Sequence, residues 1–197
     1  QRAAHFERAA GHAERAIATW RYVLAEAPAH LEAYAALEAL LLAAADWAAL
    51  AALLRQRLDA GGAGLAPSAL LARLAQVYEQ HLGDADQAIA TYQELIERDP
   101  EDAAAMVELA RLFAAQQRYF DLVDILERRL DMLREKHDPE ASLAQLSADI
   151  ASLLADKLGR DVEALARWTL LLASPSGRER AELALEAMLA RPELAAA

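Results

Sequence analysis

Residues 83–100 read GDADQAIATYQELIERDP, and residues 11–28 read GHAERAIATWRYVLAEAP. The two stretches align without a gap at an offset of 72, and the register runs on: Trp47 falls on Tyr119, Leu50 on Leu122, Leu54 on Leu126 and Arg57-Leu58 on Arg129-Leu130. A third copy, 146–172, matches 70–96 at an offset of 76. It places Gly83 on Gly159, Ala88 on Ala164, Tyr92 on Trp168 and Leu95 on Leu171, with the extra residues absorbed around 131–139. Repetition at this scale predicts a chain built by stacking, not around one closed core. Stacked architectures present extended surfaces, so the class of function it points to is binding.

Composition narrows the class further. The chain has 197 residues, is rich in alanine and leucine and poor in glycine and proline, which predicts an all-α protein. Formal net charge is −11, and an acidic chain repels phosphate backbones, which argues against nucleic acid as a partner. Cysteine is absent, so disulfides and thiolate chemistry are excluded and the compartment stays undetermined. No stretch offers 18 uninterrupted apolar residues, so no membrane span is expected. The opening QRAAHFER does not read as a signal peptide, because no apolar run follows a basic one.

Helical periodicity covers nearly the whole chain, punctuated at Gly11, Pro28, the run GGAGLAP at 61–67, Gly83, Pro100, Pro139, Gly159, Ser174-Pro175-Ser176-Gly177 and Pro192. Helices are predicted at about 12–26, 30–44, 46–59, 68–82, 85–98, 102–116, 118–136, 140–158, 161–173 and 177–190. The short links between them force consecutive helices to lie antiparallel. The 61–67 run reads as a flexible surface insertion, since its glycines raise the entropic cost of ordering it. We expect one repeat domain over 1–197. Its hairpins fall at about 1–27, 29–59, 68–99, 101–136 and 140–173, with a terminal helix at 177–190, as a fragment of a longer chain.

Two kinds of hairpin alternate. In the first, the second (B) helix carries a small residue (Ala16, Ala88, Ala164) and an aromatic one turn later (Trp20, Tyr92, Trp168). In the second, the aromatic opens helix B (Trp47, Tyr119), and leucines fill the later sites. Exchanging large and small residues between layers keeps a close-packed interior, so all of these aromatics are expected in the core.

The first kind of hairpin resembles a tetratricopeptide repeat. In 71–100 the helix A signature stands as Leu74, Ala75 and Tyr78, and the helix B signature as Gly83, Ala88, Tyr92 and Pro100. The gap from Tyr78 to Gly83 is one residue longer than the family's usual spacing. The hairpin 103–130 keeps Leu109, Ala110 and Phe113 but has Leu122 and Arg129 where the family prefers small residues. The resemblance implies a right-handed α-solenoid of antiparallel helical hairpins, with a concave groove lined by A helices that holds a protein or peptide. Mapped onto this chain, the groove would carry Glu32, Ala36, Ala39, Arg73, Gln76, Glu79, Gln80, Glu108, Arg111, Asp149, Ser152 and Asp156. Val107 and Glu108 stand where one version of the family grips a terminal carboxylate with lysine and asparagine, so that activity is not expected.

Chemistry is sparse. His5, His12, His30, His81 and His137 form no metal-binding helix motif, and no phosphate loop follows the glycines at 61–64. Ser142, Ser147 and Ser152 have no base at a recognisable spacing. Asp84 and Asp86 read as helix N-terminal charges, and Asp99, Glu101 and Asp102 as capping residues at a turn. No catalytic residue, metal or cofactor is expected. The leading function is a non-enzymatic interaction scaffold, with self-association left open. Alternatives are a recruiting arm of a larger enzyme and an RNA-processing half-repeat protein.

Overall fold

The computed structural model describes residues 13–190. The expected helix A of the first hairpin, with His5 and His12, and the tail with Pro192 lie outside the described residues. Ten helices occur among the described residues: α1 (Ala13–Glu26), α2 (Leu31–Ala43), α3 (Trp47–Asp59), α4 (Pro67–Gln80), α5 (Ala85–Arg98), α6 (Ala103–Ala115), α7 (Tyr119–Glu135), α8 (Glu140–Asp156), α9 (Asp161–Leu171) and α10 (Arg178–Leu189). No strand occurs among the described residues. The fold is all-α, as the periodicity predicts, and every helix stands where a breaker-to-breaker segment was read.

Local chemistry sets the ends. Asp46 Oδ1 accepts from the Ala49 amide at 3.0 Å, Asp84 Oδ1 from Gln87 at 3.0 Å and Asp102 Oδ1 from Ala105 at 2.9 Å. Each satisfies an amide that the helix itself cannot, at the start of α3, α5 and α6. Pro67 opens α4, where its missing N–H costs nothing. Among the described residues, each turn from an A helix to a B helix passes through a left-handed residue: Gly83 (φ 66°) and Gly159 (φ 63°) in the first kind of hairpin, Ala45 (φ 52°) and Gln117 (φ 58°) in the second. The extra residues of the third copy lengthen helices. α7 has 17 residues against 13 in α3, and α8 has 17 against 14 in α4.

The chain forms two compact units, one ending at Ala105 and the other beginning at Met106. In the first, α1 packs on α2, α2 on α3, α3 on α4 and α4 on α5; in the second, α7 packs on α8, α8 on α9 and α9 on α10. Neighbours in sequence are neighbours in space, as short links require. Ala16, Ala88 and Ala164 are wholly buried, with Trp20, Tyr92 and Trp168 beside them in the interior.

Two expectations need correction. Trp47 and Tyr119 are only half-buried, although core positions were expected. Helical side chains lean toward the N-terminus, so an aromatic that opens helix B reaches off the helix end, onto the next A helix. The 60–66 connection is also tied from within. Arg57 Nε donates to the Gly62 carbonyl at 3.2 Å and Nη2 to the Ala63 carbonyl at 2.8 Å, and Gly62 and Ala63 are buried.

Candidate partner-binding faces

Of the residues expected on the A-helix face, Arg73, Gln76, Glu79 and Gln80 all lie on α4. Arg73, Gln76 and Gln80 line a shallow concavity of about 200 Å³, together with Leu42 from α2, Trp47 and Leu50 from α3, and Val77 and His81. Trp47 and His81 form one wall, their rings stacked at 3.6 Å and 6° from parallel. Behind Arg73 stands Glu38 on α2. Its carboxylate pairs with Arg73 and lies 3.8 Å from Arg57. One half-buried acid thus serves two guanidiniums. The Arg57 guanidinium also lies 5.2 Å from the centroid of the Tyr34 ring. Burial pushes the Tyr34 phenol pKa up, and the Arg57 charge partly opposes that shift.

The second unit has a concavity of about 320 Å³ lined by Asp149, Ser152, Leu153, Asp156 and Lys157, all on α8 or its last turn. At the offset of 76 these are the counterparts of Arg73, Gln76, Val77, Gln80 and His81. Two shallow concavities therefore stand at the same place in the repeat. The pairing of an aromatic ring with a basic residue recurs, although Tyr119 does not line the second concavity: Lys157 Nζ sits 5.6 Å from the Tyr119 ring centroid, as His81 sits on Trp47. Charge does not recur. Asp149 occupies the Arg73 position and pairs with Arg180 of α10 at 2.8 Å, where Arg73 pairs with an acid of α2. Gln145 Nε2 donates to Asp149 at 3.1 Å, and Ser152 Oγ donates back to the Ala148 carbonyl at 3.0 Å.

The B helices show the same exchange. Arg55 pairs with Glu94 at 2.6 Å in the first unit; Glu127, the counterpart of Arg55, pairs with Arg167 in the second. Other expected face residues are placed less concertedly. Glu32 is exposed in the first turn of α2, Ala36 is buried, and Ala39 is exposed. Glu108 and Arg111 pair with each other along α6 at 2.8 Å. The sequence reading does not place Glu38, Arg57, Trp47 or Lys157 on this face. A signal existed for the wall: an aromatic opens each second-kind B helix, and a basic residue closes the next A helix. Among the described residues no group of three or more His, Cys, Asp or Glu converges as a metal site, and no helix is long and apolar enough to cross a membrane.

The family model for a tetratricopeptide repeat matches residues 67–112, which cover α4, α5 and most of α6. Over these residues the chain resembles a tetratricopeptide repeat. No curated protein sequence is significantly similar to it. Among solved structures it is similar to YrrB, described as a TPR protein with an unusual peptide-binding site: 17% identity, 93% of this chain and 88% of that chain covered, TM-score 0.45. A putative kinesin light chain of Podosopora anserina with nearly identical TPR-like repeats gives 18% identity, coverage of 84% and 88%, and TM-score 0.48. The MamA protein gives 15% identity, coverage of 86% of each chain, and TM-score 0.47.

Proposed function

We propose that this TPR-like chain is a protein-interaction scaffold that holds a partner segment against the A-helix faces of its units. A TPR-like fold is typically a non-catalytic scaffold, and its partners are proteins. The observation that carries the finer reading is the recurrence of a shallow concavity at one repeat position, built on Arg73, Gln76 and Gln80 in one unit and on Asp149, Ser152 and Asp156 in the other. The A helices present polar, partly exposed side chains, in the first unit beside the Trp47 ring. Such a surface gives orientation through charge and contact area through the ring. With a net charge of −11, the chain is a poor partner for nucleic acid.

The test is a partner captured by the whole chain, followed by charge variants on both helix types. Gln80→Glu and Ser152→Lys should weaken capture. Gln93→Lys and Glu97→Lys, on exposed positions of the B helix α5, should leave it intact. Loss of capture with the α5 variants and retention with the A-helix variants would move the binding surface to the B helices.

A further inference from the structure

The two concavities stand at equivalent places in the repeat but are lined and charged differently, the first drawing on α2, α3 and α4 and the second on α8 and its last turn alone, and the difference identifies what the first one takes. Its apolar seat is formed by Leu42, Trp47 and Val77. Its polar edge is Arg73, Gln76 and Gln80, and no carboxylate lines it. Glu38 lies behind Arg73 and is shared with Arg57, so these three charges together are a net cation. The contact with Glu38 uses Nη1 of Arg73, and a guanidinium carries five N–H donors in a planar fork. The Arg73 side chain is 36% exposed, so its remaining donors are within reach of a ligand. Gln76 and Gln80 make no side-chain hydrogen bond among the described residues and stand exposed on the same face.

Resting on the reading that the A-helix faces hold a partner, we propose that the first unit's concavity binds a peptide segment with an acidic residue and a large apolar one close together. The carboxylate sits against Arg73 and the amide of Gln76; the apolar side chain sits on Trp47, Leu42 and Val77, at the end of the concavity where Gln80 and His81 stand. Arg73 and Gln80 are two helical turns apart, about 10 Å. An extended peptide covers that span in about three residues, which fixes the separation of the two side chains. The second unit's concavity holds the same segment less well, because the Arg73 position there carries Asp149, already paired with Arg180, and offers the carboxylate no guanidinium.

The experiment titrates the whole chain with three short capped Gly-Ser peptides and follows the Trp47 indole and the Gln76 and Gln80 side-chain amides by NMR. One peptide carries Glu and Leu three residues apart, the second Lys and Leu, the third Glu and Ser. The Glu-Leu peptide should shift these three resonances and bind about tenfold more tightly than either control, with an affinity that falls as salt rises. Gln76→Glu should abolish that preference without changing the melting temperature. If the Lys-Leu peptide binds as tightly at the same resonances, the charge assignment is overturned and a partner-binding A-helix face survives. If none of the three peptides shifts a first-unit resonance, while a captured natural partner still shifts them, the peptide class is wrong. If the natural partner shifts none either, the face itself is wrong.

Discussion

Tyr34, Glu38 and Arg57 in the first unit occupy the same repeat positions as Met106, Ala110 and Arg129 in the second. The first set is a joined polar cluster: Arg57 bridges toward Glu38, faces the Tyr34 ring and holds two carbonyls of the 60–66 connection. In the second set Met106 and Ala110 are packed apolar residues, and Arg129 keeps a buried Nε without a hydrogen-bond partner among the described residues. The second unit also lacks the glycine-rich connection; helices α7 and α8 are lengthened there instead. One backbone plan thus accepts either a polar tie that clamps a loop or an apolar filling with longer helices. What the repeat fixes is where helices start, stop and touch. What it leaves open is the chemistry at each position, so equivalent frames in the two units carry different charges.

The comparison breaks most visibly at the two arginines. Arg57→Met should destabilise the protein by about 3–5 kcal/mol, because Glu38 loses a partner and two buried carbonyls lose their donors. Arg129→Met should be neutral or stabilising by about 1 kcal/mol, since it removes a buried donor that nothing satisfies. Denaturant unfolding of both variants is the measurement. Equal losses would show that Arg129 has a structural role like that of Arg57 and that the contrast between the units is false.

The packing alanines should behave in the opposite sense, alike in both units. Ala88 and Ala164 are wholly buried at matching positions, so Ala88→Leu and Ala164→Leu should each cost about 1–3 kcal/mol through overpacking. An unchanged melting temperature for either variant would mean that its helix pair has room that the repeat register does not imply.

Legibility in the sequence follows the same division. Periodicity and breakers placed all ten described helices, because backbone boundaries depend on local chemistry: Asp84 caps α5, Gly83 takes the left-handed turn and Pro67 opens α4. The buried places of Ala88, Tyr92 and Trp168 were legible because the repeat states them three times. The half-buried placement of Trp47 and Tyr119 was not, since a hydrophobic face fixes which side of a helix is buried but not how far an end residue leans. Nor was the Arg57 tie, which depends on a carbonyl-rich connection found once in the chain. For the face residues, the sequence indicated the helices but not the pairings. Arg73 with Glu38 and Asp149 with Arg180 join different helices, and no spacing rule within one helix gives them.

The smallest expected effect sharpens the contrast at Tyr34 and Met106, both wholly buried at the same repeat position. The Tyr34 hydroxyl is buried without a hydrogen-bond partner among the described residues. Tyr34→Phe should therefore change stability at neutral pH by no more than about 1 kcal/mol, with either sign. Its signature lies at alkaline pH. Burial raises the folded-state pKa of the phenol above its ordinary value of 10.0. Below pH 10 the native and unfolded chains both hold this proton, so the stabilisation is fully present there. As pH rises past 10 the unfolded chain releases the proton first, and stability is lost up to the raised folded value. Other tyrosines and lysines titrate in that window, so the informative quantity is the difference between Tyr34→Phe and the parent chain. The variant should lose less stability between pH 9 and pH 11. The second unit carries methionine at this position and contributes no such slope. An alkaline limb identical in variant and parent would mean that the Tyr34 phenol is solvated, and that the first unit's polar cluster is open to water where the second unit's apolar filling is closed.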